Sequence, residues 1–317
     1  MQVKNACARR ASLQPRTPRI VGNNNSTTTS LDEQHAITTQ ILGFLLHPFI
    51  PPPSPTAKIA DVGTGTAAWL LDLARSLPPT CQFTGFDVTP SGFPHESARP
   101  KNVTFKLHDM FVPFPEEEHG NYDVVAVRFV SSATRRGDFA RAVGNLVKLL
   151  KPGGWLQWID SVNFGLYCGV AGLSREACQE VYEGLEPFRS QAAGGENGKG
   201  EDDGGPVIGL FVRDAWPSKA RAVRERVFQE QGLVDVHEDV FSTDRLQKPE
   251  LRLREKGTRN IMDCFLGCLG ELVGVEGSGW TKERLDALRV KVMREIDGGV
   301  YHTLDQVCLV GRRPEQG

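Results

Sequence analysis

The sequence has little that would tie it to a membrane, a metal or a nucleic acid. Its longest apolar stretch, Ile41 to Ile50, is interrupted by His47 and Pro48 and is about half the length a bilayer crossing needs. Charge of one sign is missing: 37 basic side chains face 39 acidic ones, a formal net charge of −2. That balance excludes nucleic-acid binding through bulk positive charge. The seven cysteines form no C-x-x-C pair, so no zinc site, and no metal site of any kind, is expected. The first 30 residues carry Lys4, Arg9, Arg10, Arg16 and Arg19 with no acid. They have neither the apolar core of a secretory signal nor the amphipathic face of an organellar presequence. An odd cysteine count without a signal peptide reads as reduced thiols in a cytoplasmic protein. What the chain has in quantity is glycine (33) and proline (20), with 317 residues and 39 % hydrophobic side chains, enough for a self-sufficient core.

Residues 1–30 end in the polar run Asn23 to Ser30 and read as a disordered tail. A helical pattern runs from Leu31 to about Leu46, broken by Pro48 and Pro51-Pro52-Pro53. From Ala57 short apolar runs alternate with helical stretches. Strands are expected at Lys58 to Val62, Cys81 to Asp87, Val103 to Leu107, Tyr122 to Val127 and Trp155 to Ile159, and helices at Ala67 to Leu77 and Asp138 to Leu150. This rhythm implies right-handed crossovers and a parallel sheet covered on both faces. Further on, helices are expected at Ser174 to Phe188, Pro217 to Gln231, Glu250 to Leu272 and Thr281 to Ile296. Strands are expected at Leu233 to Phe241 and Gln306 to Gly311, and the glycine-rich, acidic stretch Ser190 to Pro206 reads as a mobile loop.

The informative stretch is Ile59-Ala60-Asp61-Val62-Gly63-Thr64-Gly65-Thr66-Ala67, a strand, a tight glycine turn and a helix start. Side chains at the two glycines would hold the backbone away from a ligand, and such turns lie where open α/β sheets bind ligands. Asp87 closes the second strand, where a carboxylate can accept two hydrogen bonds from a ribose diol, and Asp109 follows the third. Two nucleotide cofactors compete. Gly63, Gly65 and Ala68 fit the G-x-G-x-x-A fingerprint, and Asp87 is at the spacing that an NAD ribose requires. Asp61, two residues before the first glycine, instead suits a cationic amino group and repels a pyrophosphate. With Asp109 as a third acid and Lys151-Pro152-Gly153-Gly154 before the fifth strand, the balance moves to S-adenosylmethionine.

On Leu31 to His35, Ile59 to Thr66, Gly85 to Val88, Tyr122 to Phe129 and Leu149 to Trp158, the chain resembles the class I S-adenosylmethionine-dependent methyltransferases. More narrowly it is similar to fungal enzymes of secondary-metabolite clusters, including those acting on diketopiperazine-type products. The resemblance implies an α/β, Rossmann-like seven-stranded methyltransferase sheet with helical lid insertions at about 166–215 and 246–300, in one domain over 31–317. It implies a cofactor site lined by Asp61, Gly63, Thr64, Gly65, Asp87, Val88, Asp109 and Met110, and transfer of a methyl group to nitrogen or oxygen of a small molecule. Ala67 stands where the class often has a third glycine.

Methyl transfer from a sulfonium needs orientation first, worth up to roughly 7–11 kcal/mol, and a base only where the acceptor must lose a proton. The candidate catalytic or substrate-contacting residues are His35, whose helix the resemblance places over the cofactor mouth, Arg128 after the fourth strand, and Asp160 at the end of the fifth. Each has a plain packing or ion-pairing reading beside it. His108 and His237 read as structural, Trp155 and Trp158 as packing, and Cys264, Phe265, Cys268 and Leu269 as a buried helix stripe. The segment Val127-Arg128-Phe129-Val130 lacks the Asn or Asp-Pro-Pro-aromatic element of base-methylating enzymes. The rival functions are an NAD(P)-dependent oxidoreductase and a regulatory protein that keeps the methyltransferase fold.

Overall fold

Seven strands carry the fold: β1 (Lys58–Val62), β2 (Gln82–Asp87), β3 (Val103–Leu107), β4 (Tyr122–Arg128), β5 (Leu150–Cys168), β6 (Val234–Ser242) and β7 (Val300–Arg312). The structure, a computed structural model, describes residues 24–130, 134, 138–168, 172–192, 221–242 and 251–315. The strand order is β3-β2-β1-β4-β5-β7-β6. The first five strands pair in parallel, and β7 runs antiparallel between β5 and β6. This is the seven-stranded sheet that the resemblance implies, closed by the reversed β6–β7 hairpin. The chain leaves β1 toward β2 on one side and returns to β4 on the other, so the sheet switches direction between β1 and β4, where open α/β folds make their cleft.

Both faces are covered. Helix α2 (Ala68–Ser76) buries Trp69, Leu70 and Leu73 on one face with β1 and the segment 42–50. Helix α3 (Asp138–Leu149) buries Phe139, Ala142, Val143, Leu146 and Leu149, a core-facing stripe at helical spacing, against the other. Helix α5 (Arg221–Glu230) joins that second face through Phe228 and ties Arg224 to the buried Glu238 of β6 at 2.7 Å. A third apolar cluster lies apart, where α4 (Glu176–Ala192), α6 (Leu251–Gly270) and α7 (Lys282–Asp297) pack around Phe265, Leu269 and Trp280.

Four elements differ from expectation. Helix α1 spans Asn24–Leu42, so it begins within the stretch read as tail and stops short of Leu46; residues 1–23 lie outside the described ones. Strand β5 runs through Pro152-Gly153-Gly154 and on to Cys168, and β7 begins at Val300, because the two pair as far as Cys168↔Val300. Cys264 is exposed while Phe265, Cys268 and Leu269 are buried, so the stripe holds three of its four residues. Residues 193–206 of the glycine-rich loop lie outside the described residues.

Candidate active site

The glycine turn is fixed from below and from the side. Gly63 and Thr64 donate their N–H groups to the Phe86 carbonyl at 2.8 and 3.0 Å, and Gly65 N–H donates to Asp87 Oδ2 at 2.9 Å. The turn takes left-handed backbone at Gly63 (φ 73°), Gly65 (φ 56°) and also Ala67 (φ 61°). At Ala67 the missing glycine therefore has a cost, of order 1–2 kcal/mol for an alanine held in that region, and Thr64 O accepts from its N–H at 2.8 Å. A side chain at Gly63 would meet Val130 at 2.9 Å. Asp87 Oδ1 accepts from Thr89 N–H at 3.2 Å, so each carboxylate oxygen has one backbone donor and a lone pair left for a diol. Val88 is 64 % exposed at the rim.

Asp109 lies two residues past β3, where Oδ1 accepts from Phe111 N–H at 2.9 Å and stabilises the turn. Met110 is buried, its carbonyl held by Asn145 Nδ2 at 2.9 Å. Beneath the turn, Asp61 is 2 % exposed and accepts from Thr64 Oγ1 at 2.6 Å. Burial raises its pKa above the ordinary carboxylate value, against the pull of Arg128 and the Thr64 hydrogen bond, while Asp87 adds to the rise. Arg128 ends β4 with its guanidinium 5.5 Å from the Trp69 ring centroid. Burial draws its pKa down to about 10, with Asp61 opposing.

Helix α1 crosses above. Arg128 Nη1 lies 3.3 Å from His35 Nδ1, and His35 Nε2 lies 3.2 Å from Asp72 Oδ2. A guanidinium only donates, so His35 Nδ1 accepts and Nε2–H donates to Asp72. Burial, then Arg128, lowers the His35 pKa, against Asp72 and Asp32, and the ring bridges Arg128 to Asp72. Asp32 of α1 accepts from Thr66 Oγ1 at 2.7 Å. Of the candidate catalytic residues the structure brings His35 and Arg128 together. Asp160, 1 % exposed, pairs in register with Val307, which packs in the α3-side core, and so stands on the opposite face of the sheet; its Oδ1 accepts from Ser161 N–H at 2.9 Å. Trp155 and Trp158 are both buried, in the cores on opposite faces. Sequence reasoning missed Asp72 and Trp69 as partners of this cluster, although their i, i+3 spacing on one helix is visible in the chain.

A methyltransferase-domain profile matches residues 60–156, which is β1 to β5. Methyltransferase psoC of Aspergillus fumigatus is 31 % identical over 249 residues, covering 77 % of this chain and 79 % of that protein. The chain belongs to the class I S-adenosylmethionine-dependent methyltransferases. N-methyltransferase tcpN of Claviceps purpurea is 34 % identical over 214 residues, 66 % of each chain. Against the next curated relatives this methyltransferase spans about half their length, 47 %, 49 % and 45 %. Among solved structures, a Haemonchus contortus phosphoethanolamine N-methyltransferase superposes with a TM-score of 0.48 at 16 % identity, over 93 % of this chain and 56 % of that one, too loose a likeness to carry an assignment.

The residues fit the family's cofactor, S-adenosylmethionine, on a structural ground. Arg128 Nε is buried and has no hydrogen-bond partner among the described residues, and such a donor carries a penalty of roughly 1–3 kcal/mol unless something accepts from it. The cofactor's amino-acid end is a zwitterion: its carboxylate suits Arg128 and its ammonium suits Asp61. Asp87 suits its ribose. Among the described residues no helix is long and apolar enough to cross a membrane.

Proposed function

We propose that the protein transfers a methyl group from S-adenosylmethionine to a nitrogen of a small natural product in fungal secondary metabolism. The observation that carries this is the buried, unpartnered Arg128 Nε, with the buried Asp61 carboxylate and an Asp87-anchored glycine turn on the same rim, a cation and an anion suited to a zwitterion. Similarity to a Claviceps protein named an N-methyltransferase supports nitrogen as the acceptor. When bound, S-adenosylmethionine supplies an electrophilic methyl group on a sulfonium, which an amine lone pair can accept without a base.

The chain's own residues orient and exclude water. Asp87 accepts from the ribose hydroxyls, the backbone of Gly63, Thr64 and Gly65 lies against the cofactor, and Val88, Asp109 and Met110 take the adenine end. Asp61 and Arg128 hold the amino-acid end. His35 acts as a positioning residue: with both ring nitrogens engaged, it fixes the guanidinium rather than removing a proton. Asp160, buried on the opposite face of the sheet from His35 and Arg128, has no part in this arrangement, and an amine acceptor needs no base. The chain from α1 onward forms one domain, with α4, α6 and α7 as its lid insertions. The near-neutral chain works in the cytoplasm without nucleic-acid partners, and the free cysteines, among them Cys81, Cys178 and Cys308, suit a reducing compartment.

Incubation of the purified chain with methyl-labelled S-adenosylmethionine and the metabolites made by its neighbouring genes tests the reading. Label on a nitrogen of a small product is expected. Label on oxygen would move the acceptor atom, and absence of labelled product in every metabolite fraction would favour a regulatory protein.

A further inference from the structure

At the far edge of the sheet, three strands from β4, a second cluster of reactive side chains comes together from distant parts of the chain. His47 lies in the connection between α1 and β1, and His237 and Asp239 alternate along β6 on one face. His47 Nε2 is 3.0 Å and His237 Nε2 3.2 Å from the same oxygen, Asp239 Oδ2. The three ligand atoms all lie within 4.8 Å of one another. We propose that His47, His237 and Asp239 form a site for a divalent transition metal of the zinc class, separate from the methyl-transfer cleft.

The distances suit such an ion. Tetrahedral zinc with bonds of about 2.0–2.1 Å separates neighbouring ligand atoms by about 3.3–3.4 Å, so these two edges need only widen by a few tenths of an ångström. Two imidazoles and a carboxylate suit zinc, cobalt or nickel better than calcium or magnesium. The donors are held in place. His47 is 3 % exposed, its N–H donates to Gln157 Oε1 at 2.8 Å, and its ring lies edge-on to Phe44. His237 stacks on Phe49 with ring centroids 4.7 Å apart. A groove of about 570 Å³, lined by Phe44, Phe49, Phe241 and the three donors, opens at this point. It leaves a fourth coordination position open to an outside ligand, as in zinc sites with three protein donors.

One hydrogen bond gives the site a signature. Phe49 N–H donates to His47 Nδ1 at 3.1 Å, so in the metal-free protein the His47 proton sits on Nε2 and points at Asp239. Metal binding at Nε2 requires that proton to leave; one is taken up at Nδ1, the ring stays neutral, and the Phe49 amide loses its acceptor. Sequence spacing gave no hint of this site, because His47 and Asp239 are 192 positions apart.

The test uses the full chain stripped with a chelator and titrated with Co²⁺, then with Zn²⁺ in competition. One equivalent of Co²⁺ should bind with the intense visible absorption of tetrahedral coordination, and Zn²⁺ should displace it. His237→Ala and Asp239→Asn, both at partly exposed positions, should each weaken binding about 100-fold or more while leaving metal-free melting and S-adenosylhomocysteine affinity unchanged. Zinc should also shift the Phe49 amide resonance. Absence of saturable binding, or wild-type affinity in both variants, would show that the three side chains are only a hydrogen-bonded clamp. The outcome is independent of whether methyl transfer is observed.

Discussion

The cofactor rim and the helical cap of α4, α6 and α7 are stabilised in different ways. At the rim the decisive contacts are polar, and many join residues a few positions or one strand–helix unit apart: Thr64 to Asp61, Gly65 to Asp87, Thr89 to Asp87. In the cap, the contacts that tie α4 to α7 and β7 join residues more than a hundred positions apart. Glu295 of α7 accepts the N–H groups of Ala177 and Cys178, both at 2.9 Å, and so caps α4. Tyr182 Oη lies 2.9 Å from His302 Nδ1, inside an apolar cluster that includes Leu266, Leu269, Leu272 and Val292. The contrast teaches that the rim depends on a few charges it can hardly lose, while the cap spreads its stability over many apolar contacts.

The largest expected effect lies at the rim. Arg128→Met removes both the partner of His35 and the cation whose field favours the buried Asp61 carboxylate, and leaving a buried charge uncompensated costs about 3–5 kcal/mol. Urea unfolding should show that loss, and Asp61→Asn in the same chain should restore most of it. A cost under about 1 kcal/mol would remove the electrostatic half of the contrast.

The cap's sharpest single dependence is on pH. His302 is 3 % exposed, and burial lowers its pKa to about 4. The unfolded chain takes up a proton near pH 6.5 that the folded one refuses until about pH 4. Stability from this residue is therefore complete above about pH 6.5 and falls as the pH drops toward 4, by about 3 kcal/mol in total. Unfolding followed from pH 7 to 4.5 should lose less stability in His302→Gln than in the wild type; parallel curves would contradict the assignment. A smaller effect, about 1–3 kcal/mol, is expected from Gly184→Ala, whose new methyl would collide with the Trp280 ring and press on Leu269. Thermal melting should detect it, with S-adenosylhomocysteine binding unchanged.

The same contrast explains what could be read from the chain. The turn at Gly63 and Gly65 and the acid at Asp87 were legible because a strand followed by a tight turn is specified by adjacent residues. The extent of β5 and β7 was not, since residues 160–168 extend only by pairing with 300–307, and Pro152-Gly153-Gly154 looks like a helix stop in isolation. The early start of helix α1 was not legible because Asn24 to Ser30 are poor helix formers and read as a tail. His35 was found, but its role was hidden until Asp72 and Arg128 were seen on its two nitrogens.

The most direct test of the cofactor site is calorimetric titration of S-adenosylhomocysteine and of NADH into the wild type and Asp87→Ala. Asp61, which suits an ammonium and repels a pyrophosphate, predicts that the wild type binds one equivalent of S-adenosylhomocysteine and not NADH, and Asp87 contributes two charge-assisted hydrogen bonds to the ribose, roughly 1.5–3 kcal/mol each. Asp87→Ala should bind it about 100-fold or more weakly with its melting transition retained. Undiminished affinity in Asp87→Ala, or saturable NADH binding without S-adenosylhomocysteine binding, would contradict the account.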